Sequence, residues 1–437
     1  MPINLKDFIM RHFYTFVLVF MLGSVKITFG QETLSLTQCY QLTRENYPLI
    51  HQHGLIDQSE GYRISNIGKG WLPQLSVNAQ ASYQSAVTEL PFDEKQLSSL
   101  MPDANIPAVN KDQYRVVIQI DQTIWDGGSK RATKALTKAE AKAQREQLDS
   151  ELYKLRQRIN ELYFGCLLHD ELIGQNHILQ NDLKSNIIRI RAMITDGVAN
   201  QSDLECMQVE LLNARQKEIE LRAERKAFRR MLGAFMNKQL DETVSLSLPE
   251  LPRHLNSSAQ NRPEMRALEA QNEILQTRHR QLNAGLMPRF SAFLQGGYGR
   301  PALNMLSNDF EGFYVAGIRL SWNLGKLYTL RNERREIDSN RKMIDWQKET
   351  FLFNTQLLLA QQDTEIQKMY ELMQADEEII RLRNNIKKAA EIKLENGVIA
   401  VTDLIREINA ENLARQKAAM HRIQHVMSCY KRLFTTN

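Results

Sequence analysis

The side chains able to do chemistry are few and scattered. His51 and His53 stand two residues apart. A helix sends that spacing to different faces, so a solvated helix is a better reading than a shared metal. Cys39, Cys166, Cys206 and Cys429 include no CxxC pair, which leaves no zinc or thiol-exchange motif. Four separate buried thiols are expected, with a clasp from Cys39 to Cys429 as the alternative that export would allow. Gly296-Gly297-Tyr298-Gly299 ends an alternating segment and opens no helix, so it is no phosphate cradle. Glu377-Glu378 reads as solvated helix charge. No catalytic, cofactor-binding or metal-ligating constellation is expected, and the chain is not read as an enzyme. The charges that stand out are Arg115, Asp121 and Arg319, set singly in segments of alternating polarity. Their chemistry is electrostatic, along a wetted surface.

The elements that position them show in the punctuation. Among 437 residues there are 20 glycines and 11 prolines, and none of the prolines lies in 108–248 or 302–437. These two tracts are rich in Ala, Leu, Glu, Gln, Lys and Arg, all good helix formers. In the first, Leu148, Leu152, Leu155, Ile159, Leu162 and Cys166 repeat at 4-3 spacing. The phase continues through His169, Ile173, Asn176, Gln180, Leu183, Ile187, Ile190 and Ile194, a coiled-coil seam with polar interruptions. In the second, Leu372, Ala375, Ile379, Leu382, Ile386 and Ala389 do the same. Each seam ends at a glycine, Gly197 or Gly397, and a second helical pattern follows, with Ser202 and Thr402 placed to cap it. A helix from Ser129 to Thr195 would be about 100 Å long, too long for a compact domain.

The tracts are copies. Asp196-Gly197-Val198-Ala199 with Asp203-Leu204 matches Asn396-Gly397-Val398-Ile399 with Asp403-Leu404, at an offset of 200 residues. Before each tract come two alternating segments. Leu75, Val77, Ala79, Ala81 and Tyr83 form one apolar face, and Tyr114, Val116, Ile118, Ile120 and Ile124 form its partner. In the second copy these are Phe290, Ala292, Leu294 and Tyr298, with Phe293 out of pattern, then Tyr314, Ala316, Ile318, Leu320, Trp322 and Leu324. Period two means strands. Their length of about ten residues suits a strand tilted across a bilayer. Aromatic residues at the strand ends, Trp71, Tyr83, Tyr114, Trp125, Tyr298, Tyr314 and Trp322, suit an interfacial girdle. A water-soluble sheet would alternate too, but Arg115, Asp121 and Arg319 on the polar faces fit a watery lumen better. Leu75, Val77, Tyr83, Tyr114, Ile118, Ile120, Leu294, Tyr314, Ile318 and Leu320 are the expected lipid face. Four strands cannot close a barrel alone, and an open edge in lipid leaves backbone groups unsatisfied. The chain must therefore assemble with others, in a number that this reasoning leaves open.

At the N-terminus, Lys6 and Arg11 precede the 13-residue apolar run Phe13–Val25, and Thr28-Phe29-Gly30 offers a cleavage site before Gln31. Residues 1–30 read as a signal peptide. The net charge of +5 is small, and no Lys/Arg cluster marks a nucleic-acid binder. With a mean hydropathy of −0.43 and no run of eighteen apolar residues, a helical membrane protein is excluded.

Helix, two strands and a long helical hairpin, repeated twice after a signal peptide, resemble the TolC-like outer-membrane efflux proteins. Gln122-Thr123-Ile124-Trp125-Asp126-Gly127-Gly128 resembles that family's exit from strand to helix, and Ser321-Trp322-Asn323-Leu324-Gly325 its second copy. Trp71-Leu72-Pro73 and Leu286-Met287-Pro288 resemble its entries to the strands. The likeness spans essentially the whole mature chain. It implies a mainly α fold with a transmembrane β-barrel portion: a homotrimer with a 12-stranded barrel in outer-membrane lipid and an α-helical tunnel across the periplasm of a Gram-negative cell. The first repeat would be 31–240, with strands at 74–83 and 114–125 and a hairpin at 128–238. An equatorial segment would be 241–260, and the second repeat 261–437, with strands at 289–298 and 313–324 and a hairpin at 326–434. Segments near 84–113 and 299–312 would be extracellular loops.

The resemblance further implies a periplasmic adaptor and an inner-membrane pump as partners. Gly197, Val198, Gly397 and Val398 would meet the adaptor at the hairpin tips. It places a gate just beyond them, where Asp403 matches the family's first aspartate and Asp203 is its copy in the other repeat. The second is not matched, because Arg406 and Cys206 stand there. Asp403 and Arg406, three residues apart, share a helix face and could pair across protomers, or be merely solvated at a helix start. The alternative function is an exported structural coiled coil that spaces envelope layers without transport; it has no need of the strands.

Overall fold

The computed structural model describes residues 33–88, 110–252 and 261–436. The expected signal peptide, most of the first expected loop and residues 253–260 of the equatorial segment lie outside these. The element order is β1 (Thr33–Leu34), α1 (Leu36–Asn46), a 3-10 turn, α2 (Gln52–Lys69), β2 (Gln74–Tyr83), β3 (Asp112–Trp125), α3 (Ser129–Thr195) and α4 (Gln201–Met236). Then come β4 (Ser245–Leu246), α5 (Pro263–Gly285), β5 (Arg289–Arg300), β6 (Glu311–Ser321), a second 3-10 turn, α6 (Leu327–Glu395) and α7 (Val401–Thr436). The two-repeat plan of the sequence is therefore present. No helix among the described residues is long and apolar enough to cross a membrane.

The chain forms two compact units, to both of which α3 and α6 contribute. The first comprises the described parts of Met1–Tyr47, Arg156–Arg253 and Thr364–Lys431. It holds two apolar clusters. One gathers Cys39, Ile159, Tyr163, Phe164, Cys166 and Leu232, with further residues of β1, β4 and α7. There β1 pairs in parallel with β4. The buried Tyr163 hydroxyl lies 2.9 Å from the Leu34 carbonyl and 2.6 Å from that of Ser247. Buried Arg229 donates to the carbonyls of Asp241 (2.8 Å) and Val244 (2.9 Å), which pins the inter-repeat segment to α4. The other cluster, around Leu183, Ile190, Met207, Leu404 and Ile408, joins the ends of both hairpins.

The seam of α3 is buried along this unit, as its spacing predicts. That of α6 is not. Leu372, Ile379, Leu382 and Ile386 are exposed, and the buried positions are Met369, Asp376, Lys387, Ala390 and Leu394. The 4-3 pattern identified an apolar face correctly, but that face looks away from its own chain. None of the four cysteines is in a disulfide; Cys39, Cys166 and Cys429 are buried and Cys206 is partly so. Burial pushes the Cys39 and Cys166 thiols up to about 12, so both stay protonated and unreactive.

The second unit comprises the described parts of Pro48–Leu155, His254–Asp363 and Arg432–Asn437. It carries a four-stranded antiparallel sheet in the order β2-β3-β5-β6. Strand β2 has the expected bounds, and β3 begins two residues earlier than expected. Strand β6 spans Glu311–Ser321 and not 313–324. Trp322 donates its indole N–H to the Leu286 carbonyl (2.9 Å), and Leu324–Lys326 is a 3-10 turn, so the ladder ends although the alternation continues. All four helical connections leave from one end of the sheet, since Gln74 pairs near Trp125 and Arg289 faces Ser321. His53, expected to be solvated, lies 3.3 Å from Asp149.

Candidate functional site

The sheet has two unlike faces. One row set runs Ala79–Val116–Tyr298 and Leu75–Ile120–Leu294–Ala316. Leu75, Val77, Tyr83, Tyr114, Ile118, Ile120, Leu294, Tyr314, Ile318 and Leu320 all stand on it, and all are exposed. Large apolar side chains so displayed mark a surface made for a non-aqueous or protein neighbour. The opposite face carries Gln74, Ser76, Asn78 and Gln80 of β2, Arg115, Gln119 and Asp121 of β3, and Arg319 of β6, by the same register. Strands β2 and β6 are edges on which no strand among the described residues is paired. With four strands alternating in direction, β6 of one chain would run antiparallel to β2 of the next.

The exit from the sheet is built by Asp126-Gly127-Gly128. The Asp126 carboxylate accepts from the backbone N–H of Gly128 (3.0 Å) and Lys130 (2.7 Å), which caps α3. Gly127 has φ +68° and Gly128 φ +83°, and a Cβ on Gly127 would stand 2.4 Å from that of Met287. Hence the two glycines after the aspartate.

The hairpin tips are geometric copies. Gly197 (φ +75°) and Gly397 (φ +68°) are left-handed. Val198 N–H donates to Met193 O (2.8 Å) and Gly197 N–H to Ile194 O (3.1 Å), matched by Val398 to Lys393 (2.9 Å) and Gly397 to Leu394 (2.9 Å). These are Schellman closures, and they leave Val198 and Val398 exposed beyond the helix end.

Beyond the tips the repeats diverge. The residue capping α4 is Asn200 and not the expected Ser202. Its side chain accepts from Asp203 N–H (3.0 Å), while its own N–H donates to the Asp203 carboxylate (3.1 Å), a reciprocal capping box. In the second repeat Ala400 occupies the place of Asn200, and Thr402 is not the cap. Only the half bond from Ala400 N–H to Asp403 (3.4 Å) remains. Asp403 also lies 3.3 Å from Arg406 on the same helix. Arg406 is 3.4 Å from Glu407, which is 3.4 Å from Arg383 of α6. Asp403 and Arg406 are thus joined in a chain that runs through Glu407, a residue the sequence pattern did not single out, to Arg383, whereas Asp203 is engaged with Asn200.

Deeper in the same unit is a second missed group. The Lys387 ammonium reaches Asp182 of α3 (2.8 Å) and Glu411 of α7 (3.5 Å). Burial opposes its charge, but the bond to Asp182 and the nearby carboxylates prevail, so its pKa lies above the ordinary lysine value. A lysine on an otherwise regular helix gives no sequence signal of such a role. No group of side chains that could hold a metal occurs among the described residues.

Comparison with known proteins agrees with this geometry. Residues 39–237 match the outer membrane efflux protein family. No curated protein matches the chain in sequence. Among solved structures, the outer-membrane channel OprN superposes with TM-score 0.67 at 14% identity, covering 92% of this chain and 90% of that one. VceC of Vibrio cholerae gives 0.65 at 11%, covering 91% and 95%. The MtrE channel of Neisseria gonorrhoeae in its open state gives 0.63 at 13%, covering 92% and 88%. The resemblance read from the motifs and the expected fold class are both borne out: residues 39–237 match the outer membrane efflux protein family, and the chain as a whole has the fold of these outer-membrane channels.

Proposed function

We propose that three copies of this chain close a 12-stranded barrel in outer-membrane lipid, with the apolar row set of each sheet outward and the polar set lining the lumen. The chain is a channel and not an enzyme, the outer-membrane component of a tripartite efflux or secretion system. Its helical part extends into the periplasm, and its partners are an adaptor and an inner-membrane pump. The observation that carries the closed ring is the sheet itself, a two-faced ladder with two edges of matched length, 10 and 11 residues. Edges of this kind are stable in lipid only when paired. A spacer of envelope layers would need neither the apolar face nor the edges.

The finer assignments follow from the same reading. Residues 1–30 are removed on export. Val198 and Val398 offer apolar knobs to adaptor hairpins, and Asp203, Asp403 and Arg406 surround the entrance. Purified protein added to a planar bilayer should give discrete conductance steps, and its mass in mild detergent should be that of three chains. A monomer with intact strands, or a bilayer left silent by the trimer, would sink the channel reading.

A further inference from the structure

Two phenylalanines stand on the polar face of the sheet, where the alternation calls for polar residues. Phe293 of β5 faces Gly317 of β6, and Phe313 of β6 faces Gly297 of β5. The glycines make the room. A Cβ on Gly297 would lie 2.5 Å from the Phe313 ring, and one on Gly317 would lie 3.0 Å from the Phe293 ring. Each ring carries an arginine, with the Arg115 guanidinium 5.7 Å from the Phe313 centroid and that of Arg319 4.7 Å from Phe293. Both are within cation–π range. A third glycine serves Arg115 directly, because a Cβ on Gly299 would stand 3.1 Å from the Arg115 Cα.

The two arginines differ in how their charge is met. Arg319 lies 3.7 Å from Asp121, whose carboxylate also accepts from Gln119 (2.6 Å). Among the described residues Arg115 has no ion-pair partner and is exposed. Its row reads Gln80, Arg115, Gly299, Glu311, so the nearest acidic residue of the row is two strands away. On a face that otherwise carries amides, hydroxyls, the two phenylalanines and the Asp121–Arg319 pair, a propped cation with no ion-pair partner among the described residues is a site for anions.

We propose that Arg115 selects for anionic solutes on the inner wall of the barrel, three copies forming a ring of guanidinium groups, each supported by Phe313. The proposal rests on the reading that the polar face is the lumen. Solutes carrying carboxylate, sulfonate or phosphate groups would be favoured in transit, and cations disfavoured.

The test is the reversal potential of the full-length trimer in a planar bilayer under a potassium chloride gradient. Arg115→Gln should lower the chloride-to-potassium permeability ratio about twofold or more, the effect of a unit charge several ångströms from the path in water. Arg115→Lys should retain the ratio, and the double variant Asp121→Asn with Arg319→Gln, which removes a neutral pair, should not move it. An unchanged ratio in Arg115→Gln channels of normal conductance would overturn the proposal, as would an equal change in the double variant. Should Arg115→Gln fail to assemble, the wild-type channel decides. A naphthalene disulfonate added on the loop side should reduce the current more than an aromatic dication of similar size, and equal block would overturn the proposal. A trimer that gives no current at all overturns the channel reading itself, a result distinct from any of these.

Discussion

The two hairpins are copies in sequence and opposites in burial. Leu179 of the first is 9% exposed, whereas Ile379, 200 residues on, is 46% exposed. Asn186 is 3% exposed and Ile386 is 45% exposed. Meanwhile Asp376 and Lys387 are buried where the first repeat has Asn176 and Ile187. Positions 176 and 187 are buried in both copies, as 376 and 387, but 179 and 186 are buried only in the first; α6 covers Asp376 and Lys387 and leaves Ile379 and Ile386 outside. An apolar stripe on the outside of one chain is affordable only if other chains cover it. On the reading of a closed ring, the second copy of the duplicated scaffold turns its apolar stripe towards a neighbouring chain.

The comparison breaks first at the exposed stripe. Ile379→Glu with Ile386→Glu should abolish the trimer while leaving the helical content of the single chain intact, read by mass in mild detergent and circular dichroism. On the other copy, truncation of the buried seam residue Leu183 to alanine should instead weaken the fold by about 2–5 kcal/mol, measured by denaturant unfolding of the first unit's helices. A trimer that survived the glutamates would show that the outward face of α6 is not an interface.

The tips come next. Glutamate at both Val198 and Val398 should stop export of a substrate while trimers remain in the outer membrane; normal export in that variant removes the valines from docking. Arg406→Ala should raise the resting conductance severalfold. The Asp403–Arg406 pair is exposed and by itself worth about 0–1 kcal/mol, so a larger effect would require that Arg406 reach a neighbouring protomer. Resting conductance equal to wild type would take it out of the gate.

The caps sharpen the contrast at smaller scale. Asn200→Ala should cost about 1 kcal/mol, and Ala400→Asn should stabilise the second hairpin by a similar amount. Paired unfolding curves would check both.

The smallest effect is one of pH. Burial holds the His425 imidazole below its ordinary value, beside Tyr370 at 6.2 Å. A depressed value leaves the folded state fully supported above about pH 6.5 and penalised as the pH falls below it, because the unfolded chain takes the proton more readily. Nearby His421 lies 2.7 Å from Asp376. His425→Leu should therefore flatten the loss of helix stability between pH 7 and pH 5. A loss as steep as in wild type would assign the acid response elsewhere.

Much of this architecture was legible beforehand, and the exceptions share a cause. Strand β2 and both glycine turns follow from alternation and from φ-permissive residues, which are local properties. Periodicity reveals that a face is apolar but not what lies against it, so α3 and α6 looked alike. Phe293 broke the alternation because its partner Gly317 sits on another strand, a pairing visible only in the register. The cap at Asn200 was missed because Ser202 is the more familiar start signal, although Asn200 with Asp203 satisfies the same spacing rule. Lys387 gave no sign, since its partner Asp182 is on a helix far away in sequence, and Glu407 gave none, since its partner Arg383 is placed only by the fold of the hairpin.

The open edges of the sheet also bear on inheritance and dosage. One chain leaves two unpaired strand edges, and two chains joined side by side still leave two. Each join pairs two edges, but two remain open until the last copy arrives, so partial rings have no refuge in the membrane. A copy with a ruined β2 or β6 would be recruited like any other and would spoil every ring that it enters. In a cell making equal amounts of sound and spoiled chains, only about one ring in eight of three-membered rings would be whole. A single defective allele would then act as a poison, and not as a mere absence.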